Sequence, residues 1–600
     1  MKTKKSLTLI LTVLIGTATT TWAGGGNVKP ELKTDEAALQ RFTDMRFGTL
    51  IHWGPALLHN AEVSWSMGNR AEYEKCYQDF KPTKFNADEW ASLATAAGMK
   101  YAIIVCKHHD GFCNWDTATT SNNIMNTPFH TDTTRAFLDA CRKQGLFAGT
   151  YLSIADLNFQ NCDGMGAQDK LMKAHPELNR PLLEFTKKQC TELIEKYDSR
   201  LFWFDGFWHN GWDAKLAAEL YAHLKAKAPD MLACRLMVGP RVNGRGTWNR
   251  AVNVGDFHSM EGYVGSYLDD AWEMVTSVAY PNYSWQTGLK YKTVPECIQT
   301  LAGCASGNGN LLLAFVPDAD GAIPEAQWEI ARQIGTWLKA NGESIYGTHA
   351  GPWYPSHWGG STHKGNLVFL HVFPKASETL GLPACTARVV RARALNGLPV
   401  EWKQDAAGRV NLAVPLTGRD PNDTVVELTM DRPFTGMVKE RELRSMFEAN
   451  TAYGKNISEK ATLTVSSSSQ WNDPAKYSTF FTGERPAGFA FHTAEETNPW
   501  AIVDLGSVQR ITGLAIVNRA DMNQERAATL KVSSSEDGKN WKPVWAAAGA
   551  QSRWEIPLTD FHDAGGKQPG ELIRYLKLET RPDHPAALHL RRIEVYGFDR

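Results

Sequence analysis

The sequence has almost no excess of either charge. Its 600 residues carry 64 lysines and arginines against 65 aspartates and glutamates, a formal net charge of -1. A protein that binds nucleic acid electrostatically normally has a basic patch or a high isoelectric point. The composition therefore argues against nucleic acid as a partner.

Cysteine is present but without a pattern. The ten cysteines lie between Cys76 and Cys385, and none of them forms a CxxC pair. Because zinc sites and disulfide frameworks show such pairs or regular spacings, the sequence gives little support to either, although one or two disulfides stay compatible with a secreted chain. We expect several cysteines, such as Cys106 in YAIIVCKHH, to be buried thiols.

Long hydrophobic runs are also missing, except near the N-terminus. Residues 1–23 have a lysine-rich start, an apolar run over residues 7–16 and a small-residue end. This pattern is typical of a secretory signal peptide, and the run is too short to span a bilayer as a helix. No later stretch is apolar enough to do so. We therefore expect a secreted or periplasmic protein that begins near Gly24 and has no integral membrane segment.

Short apolar runs alternate with longer helical patterns in the first half of the chain. This alternation predicts a parallel sheet, and the number of units fits an irregular (β/α)8 barrel of the TIM type over residues 24–345. The pattern loosens over residues 238–286, so the last units are expected to be irregular. The predicted strands are Phe47–Trp53, Tyr101–Cys106, Leu146–Leu152, Leu201–Phe204, Met231–Leu236 and Asn308–Phe315.

The hydrophobic period changes to two after the barrel. Strand-like runs separated by Gly, Pro and Asp turns predict an antiparallel β-sandwich over residues 346–431. A polar stretch at 432–460 is interpreted as a linker. Residues 461–600 again show strand-like runs and predict a second all-β unit. The fold class is thus a multidomain chain, α/β followed by two all-β units.

Polar side chains follow successive strands of the predicted barrel. The stretch RLFWFDGFW ends a buried strand in Asp205, and His52, His108-His109 and Tyr151 stand at other strand ends. Each alone has an ordinary explanation, such as a turn aspartate that caps a helix or a structural histidine. Barrel enzymes, however, build their sites at the C-terminal ends of the strands. Four such ends favour a shared polar site.

Longer motifs resemble a known family. The segments FGTLIHWG, KHHDGFCNWDT, LFWFDG and LLLAFVPDADGAIPEAQ, in this order within residues 39–428, are similar to the α-L-fucosidases of glycoside hydrolase family 29. That family has an irregular (β/α) barrel followed by a β-sandwich. The final unit, with PWAIVDLG, SSEDGKNW and LRRIEVYG, resembles a discoidin-like, coagulation-factor C-type module. Such modules often bind sugars, galactose among them.

The resemblance implies retaining hydrolysis of terminal fucose from glycans, by two carboxyl groups about 5–5.5 Å apart. Asp205 matches the nucleophile, and no cofactor is implied. The expected partners are fucosylated oligosaccharides or glycoconjugates. The residues expected to bind the sugar are His52, His108 and His109 at its hydroxyls, with Trp53, Trp65, Tyr151, Trp203 and Trp285 shaping the pocket.

A metal site at His108-His109 is the alternative interpretation of that pair. Adjacent residues on a strand point to opposite faces, which makes joint ligation awkward, and the resembled family needs no metal. We therefore expect no metal.

The acid/base residue has two candidates. Glu261 in GDFHSMEGYV and Glu273 in AWEMVTS each match a pattern found among relatives, and Glu261 is favoured. The surrounding region departs from the family at both ends, where it reads ACR and SWQTG. Arg235 of the first segment is a candidate sugar contact.

Two further functions stay open. The altered segments are compatible with a secreted glycan-binding protein whose barrel is inactive. A related retaining glycosidase for an α-galactoside-like sugar is the other alternative, since that sugar shares the ring configuration of fucose.

Overall fold

The protein is described from a computed structural model. Among the residues that the structure describes, no helix is long and apolar enough to cross a membrane. The predicted signal peptide and Trp65 lie outside the described residues. The described residues are 34–64, 70–236, 241–242, 245–246, 254–261, 267–280, 282–355, 358–406, 408–434, 436–438, 453–482, 489–519, 524–547, 553–558, 570–581 and 585–598.

Eight parallel strands form one sheet in the first unit, in the order β5-β4-β3-β2-β1-β8-β7-β6. A parallel bridge between Cys234 and Phe257 joins the two ends of this order. The sheet therefore has the closed connectivity of a TIM-like barrel. The strands are β1 Phe47–Ile51, β2 Tyr101–Lys107, β3 Phe147–Ser153, β4 Leu201–Asp205, β5 Leu232–Ala233, β6 His258–Glu261, β7 Trp272–Ser277 and β8 Gly309–Ala314.

Helices follow most of these strands. Side-chain caps begin several of them: Asp132 and Asp213 each accept a backbone N–H, and Thr293 forms a capping box with Glu296. Among the described residues no helix follows β5 or β6, as the loosened pattern predicted. The helices are α1 Glu36–Met45, α2 Arg70–Asp79, α3 Ala87–Ala96, α4 Thr133–Lys143, α5 Met165–Ala174, α6 Asn179–Glu195, α7 Ala214–Lys227, α8 Val294–Ser306 and α9 Glu325–Asn341.

Alternate residues of each barrel strand point inward and outward. On β2, Tyr101 and Ile103 belong to the core inside the barrel, whereas Ala102 and Ile104 belong to the core beneath the helices. Phe42 of α1 packs against Tyr101 and closes the inner core at the N-terminal end of the strands, with ring centroids 5.2 Å apart. Asp205 lies at the opposite end, where β4 terminates.

Gly48 on β1 makes room for the ring of Tyr101. A Cβ atom at this position would stand 2.5 Å from three ring atoms of Tyr101, closer than real contacts allow. A glycine here lets the large ring lie across the barrel interior.

The second unit consists of two antiparallel sheets, of five and three strands. Both contribute to one hydrophobic core, for example through Leu370 and Leu412. The unit packs on the barrel, since the indole of Trp337 donates to the backbone oxygen of Asp423 at 3.3 Å. Its strands are β9 His349–Ala350, β10 Gly359–Lys364, β11 Leu367–Val372, β12 Thr379–Leu382, β13 Val389–Ala394, β14 Glu401–Gln404, β15 Val410–Ala413 and β16 Thr424–Met430.

The third unit is an eight-stranded antiparallel β-structure with its own core. It begins earlier than the predicted boundary at 461, because Lys455–Asn456 already pairs with the last strand. The predicted linker is therefore shortened at its C-terminal end. Its elements are β17 Lys455–Asn456, β18 Thr462–Val465, α10 Thr479–Thr482, β19 Trp500–Asn518, β20 Lys531–Ser535, β21 Lys542–Ala546, β22 Arg553–Pro557, β23 Glu571–Glu579 and β24 Leu590–Phe598.

All ten cysteines lie in the described part of the chain, and every one is a buried free thiol. Cys106 sits on the outward face of β2 with no exposure. The prediction of buried thiols is confirmed, and no disulfide links these ten residues.

Candidate active site

Asp205 ends β4 and faces the interior of the barrel at its C-terminal end. Since Trp203 lies in the inner core, the residue two positions later points to the same side. The hydroxyl of Tyr151 on the neighbouring strand donates to Oδ2 of Asp205 at 2.7 Å. The backbone N–H of Gly206 donates to Oδ1 at 2.8 Å. Both hydrogen bonds favour the ionised carboxylate.

The pKa of Asp205 lies below its ordinary value despite burial. Burial alone would raise this pKa, but Arg235 and the hydrogen bonds from Tyr151 and the Gly206 amide oppose it, as does His109 whenever its ring is protonated, and the net effect is a lower pKa. Burial also lowers the pKa of His109, so at neutral pH that ring is uncharged. The Arg235 charge and the two donors therefore keep the carboxylate ionised.

Three histidine rings stand beside this carboxylate. The ring centroids of His52 and His108 are 4.9 Å apart, and those of His108 and His109 are 4.1 Å apart. His108 also stacks on Tyr151 at 5.4 Å. Burial lowers the pKa of all three histidines. The cluster is therefore a set of neutral donors and acceptors rather than a cationic site.

The hydrogen bonds of two of these histidines define their tautomers. Ser153 donates its hydroxyl proton to the backbone oxygen of Ala155, so it accepts from Nδ1–H of His109 at 2.6 Å. In the same way Ser284 donates to Glu62 and accepts from Nδ1–H of His52 at 2.7 Å. Each Nε2 is thus a hydrogen-bond acceptor. Nε2 of His109 lies 3.9 Å from Oδ2 of Asp205.

His108, His109 and Asp205 bring three potential metal-ligand atoms within 4.8 Å of one another. The argument that adjacent histidines point apart is wrong here, because β2 ends at Lys107 and both rings follow the strand. The carboxylate already accepts from Tyr151 and Gly206. A hydroxyl group can donate to one acceptor and accept from one donor. The atoms of His108, His109 and Asp205 therefore suit a hydroxyl group as well as they suit a metal ion.

Glu261 ends β6 and is the more exposed of the two candidate acid/base residues. Its side chain is 56 % exposed, and Nη2 of Arg235 donates to its carboxylate at 3.0 Å. Arg235 itself is buried, with its guanidinium 4.5 Å from the ring of Trp203. The same guanidinium acts electrostatically on Asp205 and Glu261. The structure thus brings both carboxylates into the neighbourhood of one cation.

Glu273 lies deep inside the barrel, on β7, and has no exposure. Tyr101 donates to its Oε2 at 2.6 Å, and the indole N–H of Trp203 donates to its Oε1 at 2.9 Å. Ser259 donates weakly at 3.5 Å. A carboxyl engaged in this way is poorly placed to reach the leaving group of a substrate at the mouth. Burial raises its pKa to about 7, against the effect of these hydrogen bonds.

The raised pKa of Glu273 predicts a pH-dependent stability. The carboxyl binds its proton more tightly in the folded chain, so its contribution to stability is present below the ordinary pKa of 4.5 and is lost as the pH rises through about 7. At about 1.4 kcal/mol per pKa unit, the loss is about 3.5 kcal/mol. We expect the unfolding temperature of Glu273→Gln, relative to that of wild type, to rise between pH 4.5 and pH 7.5 in calorimetry of the full chain. A difference that stays constant with pH would contradict this.

The remaining predicted aromatic residues have different outcomes. Trp53 is a correction: it packs with Phe85 and Trp90 in the core beneath the helices, the core that also holds Phe47 and Ile51 of β1. Trp65 lies outside the described residues. Trp285 is partly buried and directly follows Ser284, the partner of His52.

Other residues of the site were not predicted. The indole of Trp208 lies 3.4 Å from Oδ1 of Asp205 and meets His109 edge to face at 5.5 Å. Trp208 belongs to the segment RLFWFDGFW, so its position three residues after Asp205 was a usable signal. Ser153, Ser284 and Glu62 orient the histidines from distant segments. Ser284 begins the segment SWQTG, whereas no motif marks Ser153 or Glu62.

Comparisons with known proteins show which families the chain resembles. The family model for alpha-L-fucosidase matches residues 26–343, and that for the F5/8 type C domain matches residues 462–562. The tissue alpha-L-fucosidase of Rattus norvegicus is 28 % identical over 339 residues, 52 % of this chain and 70 % of the rat enzyme. The alpha-L-fucosidase of Dictyostelium discoideum is 28 % identical over 348 residues, 52 % and 72 % of the two chains.

Solved structures show the same relationship. The alpha-L-fucosidase isoenzyme 1 of Paenibacillus thiaminolyticus superposes with a TM-score of 0.58 at 30 % identity, over 66 % of this chain and 99 % of its own. An alpha-L-fucosidase GH29 of Bacteroides thetaiotaomicron reaches a TM-score of 0.60 at 25 % identity, over 68 % and 98 %. The chain belongs to the alpha-L-fucosidase family of glycoside hydrolases, GH29, and carries an F5/8 type C domain behind the fucosidase part.

Proposed function

We propose that the chain is a retaining exo-α-L-fucosidase that removes terminal fucose from glycans by double displacement. The observation that carries the proposal is Asp205, an inward-facing carboxylate at the barrel mouth that accepts from Tyr151 and the Gly206 amide. A nucleophile must be ionised at the working pH, and these donors favour that form. Asp205 attacks the anomeric carbon, and a covalent fucosyl-enzyme results.

Glu261 serves as the acid/base. It protonates the departing glycosidic oxygen and then deprotonates the water that releases fucose. Two features support this role over Glu273: Glu261 is exposed at the end of β6, and its partner Arg235 also acts on Asp205. A covalent intermediate trapped with 2-fluoro-fucosyl fluoride in a Glu-to-Gln mutant of the Bacteroides thetaiotaomicron enzyme supports the same scheme.

The neutral histidine cluster matches an uncharged sugar. His52 and His109 offer acceptor nitrogens, and Nδ1 of His108 is buried without a hydrogen-bond partner in the described part of the chain. An unpaired buried polar atom costs free energy unless a ligand satisfies it. Sugar hydroxyls, which both donate and accept, satisfy such atoms without requiring a charge.

The C-terminal unit is assigned to glycan attachment. A module that holds the enzyme on a glycan raises the local concentration of cleavable ends. Its presence, together with the signal-peptide pattern of residues 1–23, supports action outside the cytoplasm, in the periplasm or after secretion.

A panel of 4-nitrophenyl glycosides tests the proposal. We expect rapid release of nitrophenol from the α-L-fucoside, and about 10-fold or more slower release from the α-L-galactoside, whose additional C6 hydroxyl must be buried. NMR of the first product should show α-L-fucose, since two inversions retain the configuration. Faster turnover of an α-galactoside would favour the related glycosidase. Binding of fucosylated glycans without hydrolysis of any linkage would favour the inactive barrel.

A further inference from the structure

The carboxyl of Glu273 accepts two short hydrogen bonds and lies deep inside the barrel, away from its mouth. Its donors, Tyr101 and Trp203, come from β2 and β4. We propose that Glu273 is a positioning residue, which holds the indole of Trp203 in place. The hydrogen-bond partners of both catalytic carboxylates pack on this indole, which we call the floor of the site. This inference rests on the proposed roles of Asp205 and Glu261.

The indole of Trp203 contacts both sides of the site. The ring of Tyr151 stacks on it with centroids 5.1 Å apart and planes inclined by 15°. Tyr151 is the residue whose hydroxyl donates to Asp205. The guanidinium of Arg235 lies 4.5 Å from the same indole and donates to Glu261. One ring plane therefore orients the donor to the nucleophile and the donor to the acid/base.

Stacking alone leaves an indole free to slide within its plane. The hydrogen bond from its N–H to Oε1 of Glu273 removes this freedom, because it ties the edge of the ring to β7. Glu273 is in turn held by Tyr101, whose hydroxyl donates to the other carboxyl oxygen. The carboxyl thus links β2, β4 and β7 across the barrel interior.

The exact position of the Trp203 indole should affect the rate of the chemical step rather than the affinity for substrate. A displacement of about 1 Å in a catalytic group can lower the rate 100-fold. If the indole moves, Tyr151 loses its support and its hydrogen bond to Asp205 weakens, so the pKa of the nucleophile rises. His52 and His109 are held instead by Ser284 and Ser153, so the sugar contacts of these two histidines do not depend on the indole.

Two substitutions in the full-length chain separate positioning from other roles. In Glu273→Gln the amide oxygen still accepts from Trp203, and the amide N–H₂ can donate to the hydroxyl of Tyr101. We expect its kcat on 4-nitrophenyl α-L-fucoside to stay within about 5-fold of wild type, with an unchanged pH profile. In Glu273→Leu both donors lose their acceptor. We expect kcat to fall about 100-fold with KM within about 3-fold, and the acidic limb of kcat/KM to move to higher pH.

A structural control removes a buried carboxyl elsewhere. Asp423 is fully buried in the second unit, where it accepts from His371 at 2.7 Å. Asp423→Leu should lower the unfolding temperature but leave kcat and the acidic limb in place. Should Glu273→Leu behave like this control, Glu273 is only structural and the inference is overturned.

Two other outcomes are distinguishable. Loss of activity in Glu273→Gln as severe as in Glu273→Leu would show that the carboxyl itself takes part in the reaction, which also overturns the inference. A different experiment would reveal failure of the proposed function: an Asp205 variant would keep full activity. The Glu273 results then cannot be attributed to support of the nucleophile, and the inference falls with the function.

Discussion

Asp205→Gly is expected to lose about 10⁴-fold or more of kcat on 4-nitrophenyl α-L-fucoside while the chain stays folded. The substitution removes the only group that forms the covalent intermediate in the proposed scheme, and comparable losses follow removal of a nucleophile in other hydrolases. We expect the barrel to fold without this carboxylate, since its hydrogen-bond donors are the Tyr151 hydroxyl, the Gly206 amide and the Trp208 indole, none of which is a buried charge. The loss corresponds to about 5.5 kcal/mol of transition-state stabilisation.

Azide provides a stereochemical readout for the same variant. With the carboxylate absent, azide enters the vacated space and attacks the sugar directly, so the product is the inverted β-L-fucosyl azide. Asp213→Asn is a matched control, because Asp213 caps α7 through its side chain and asparagine caps equally well. Near-full activity of Asp205→Gly would remove Asp205 from the role of nucleophile.

Glu261→Gln is expected to lose activity according to the leaving group. Proton donation by a side chain contributes about 10²–10⁴-fold. An oligosaccharide, whose alkoxide leaves poorly, should therefore lose about 10³-fold in kcat/KM. An aryl fucoside with an acidic phenol needs little proton donation and should lose far less in the first step. The amide can still accept from Arg235, so folding should not change.

The stereochemistry of azide products again identifies the role. In Glu261→Gln the nucleophile is present, so azide attacks the fucosyl-enzyme and yields the retained α-L-fucosyl azide. Glu177→Gln is a suitable control, since Glu177 is exposed and pairs only with His175 among the described residues. An equal loss on all leaving groups, without azide rescue, would argue against Glu261 as the acid/base.

Much of the fold was predictable because hydrophobic period is a local property. The predicted strands from Phe47, Tyr101, Leu146 and Leu201 each overlap an observed barrel strand. The boundary at 461 was less predictable, because Lys455–Asn456 is polar and too short to show a period. Its strand character arises only from pairing with the C-terminal strand.

The site residues at the ends of strands could be predicted from the sequence. Those whose roles depend on contacts between distant segments could not. Asp205, Tyr151 and the histidines follow from position along single strands. The interior location of Glu273 does not, because it depends on donors from Tyr101 and Trp203 elsewhere in the barrel. Trp53 was expected to shape the pocket, but it packs beneath the helices against Phe85 and Trp90, which come from a distant part of the chain.

Gly48 illustrates how far the demands of catalysis extend through this barrel. It lies at the start of the first strand, and its missing side chain gives the ring of Tyr101 the space from which its hydroxyl reaches Glu273. An alanine here would push that ring aside and disturb the floor of the site from below. A screen for impaired variants should therefore recover this glycine, although it touches neither sugar nor carboxylate and would look like an ordinary packing position.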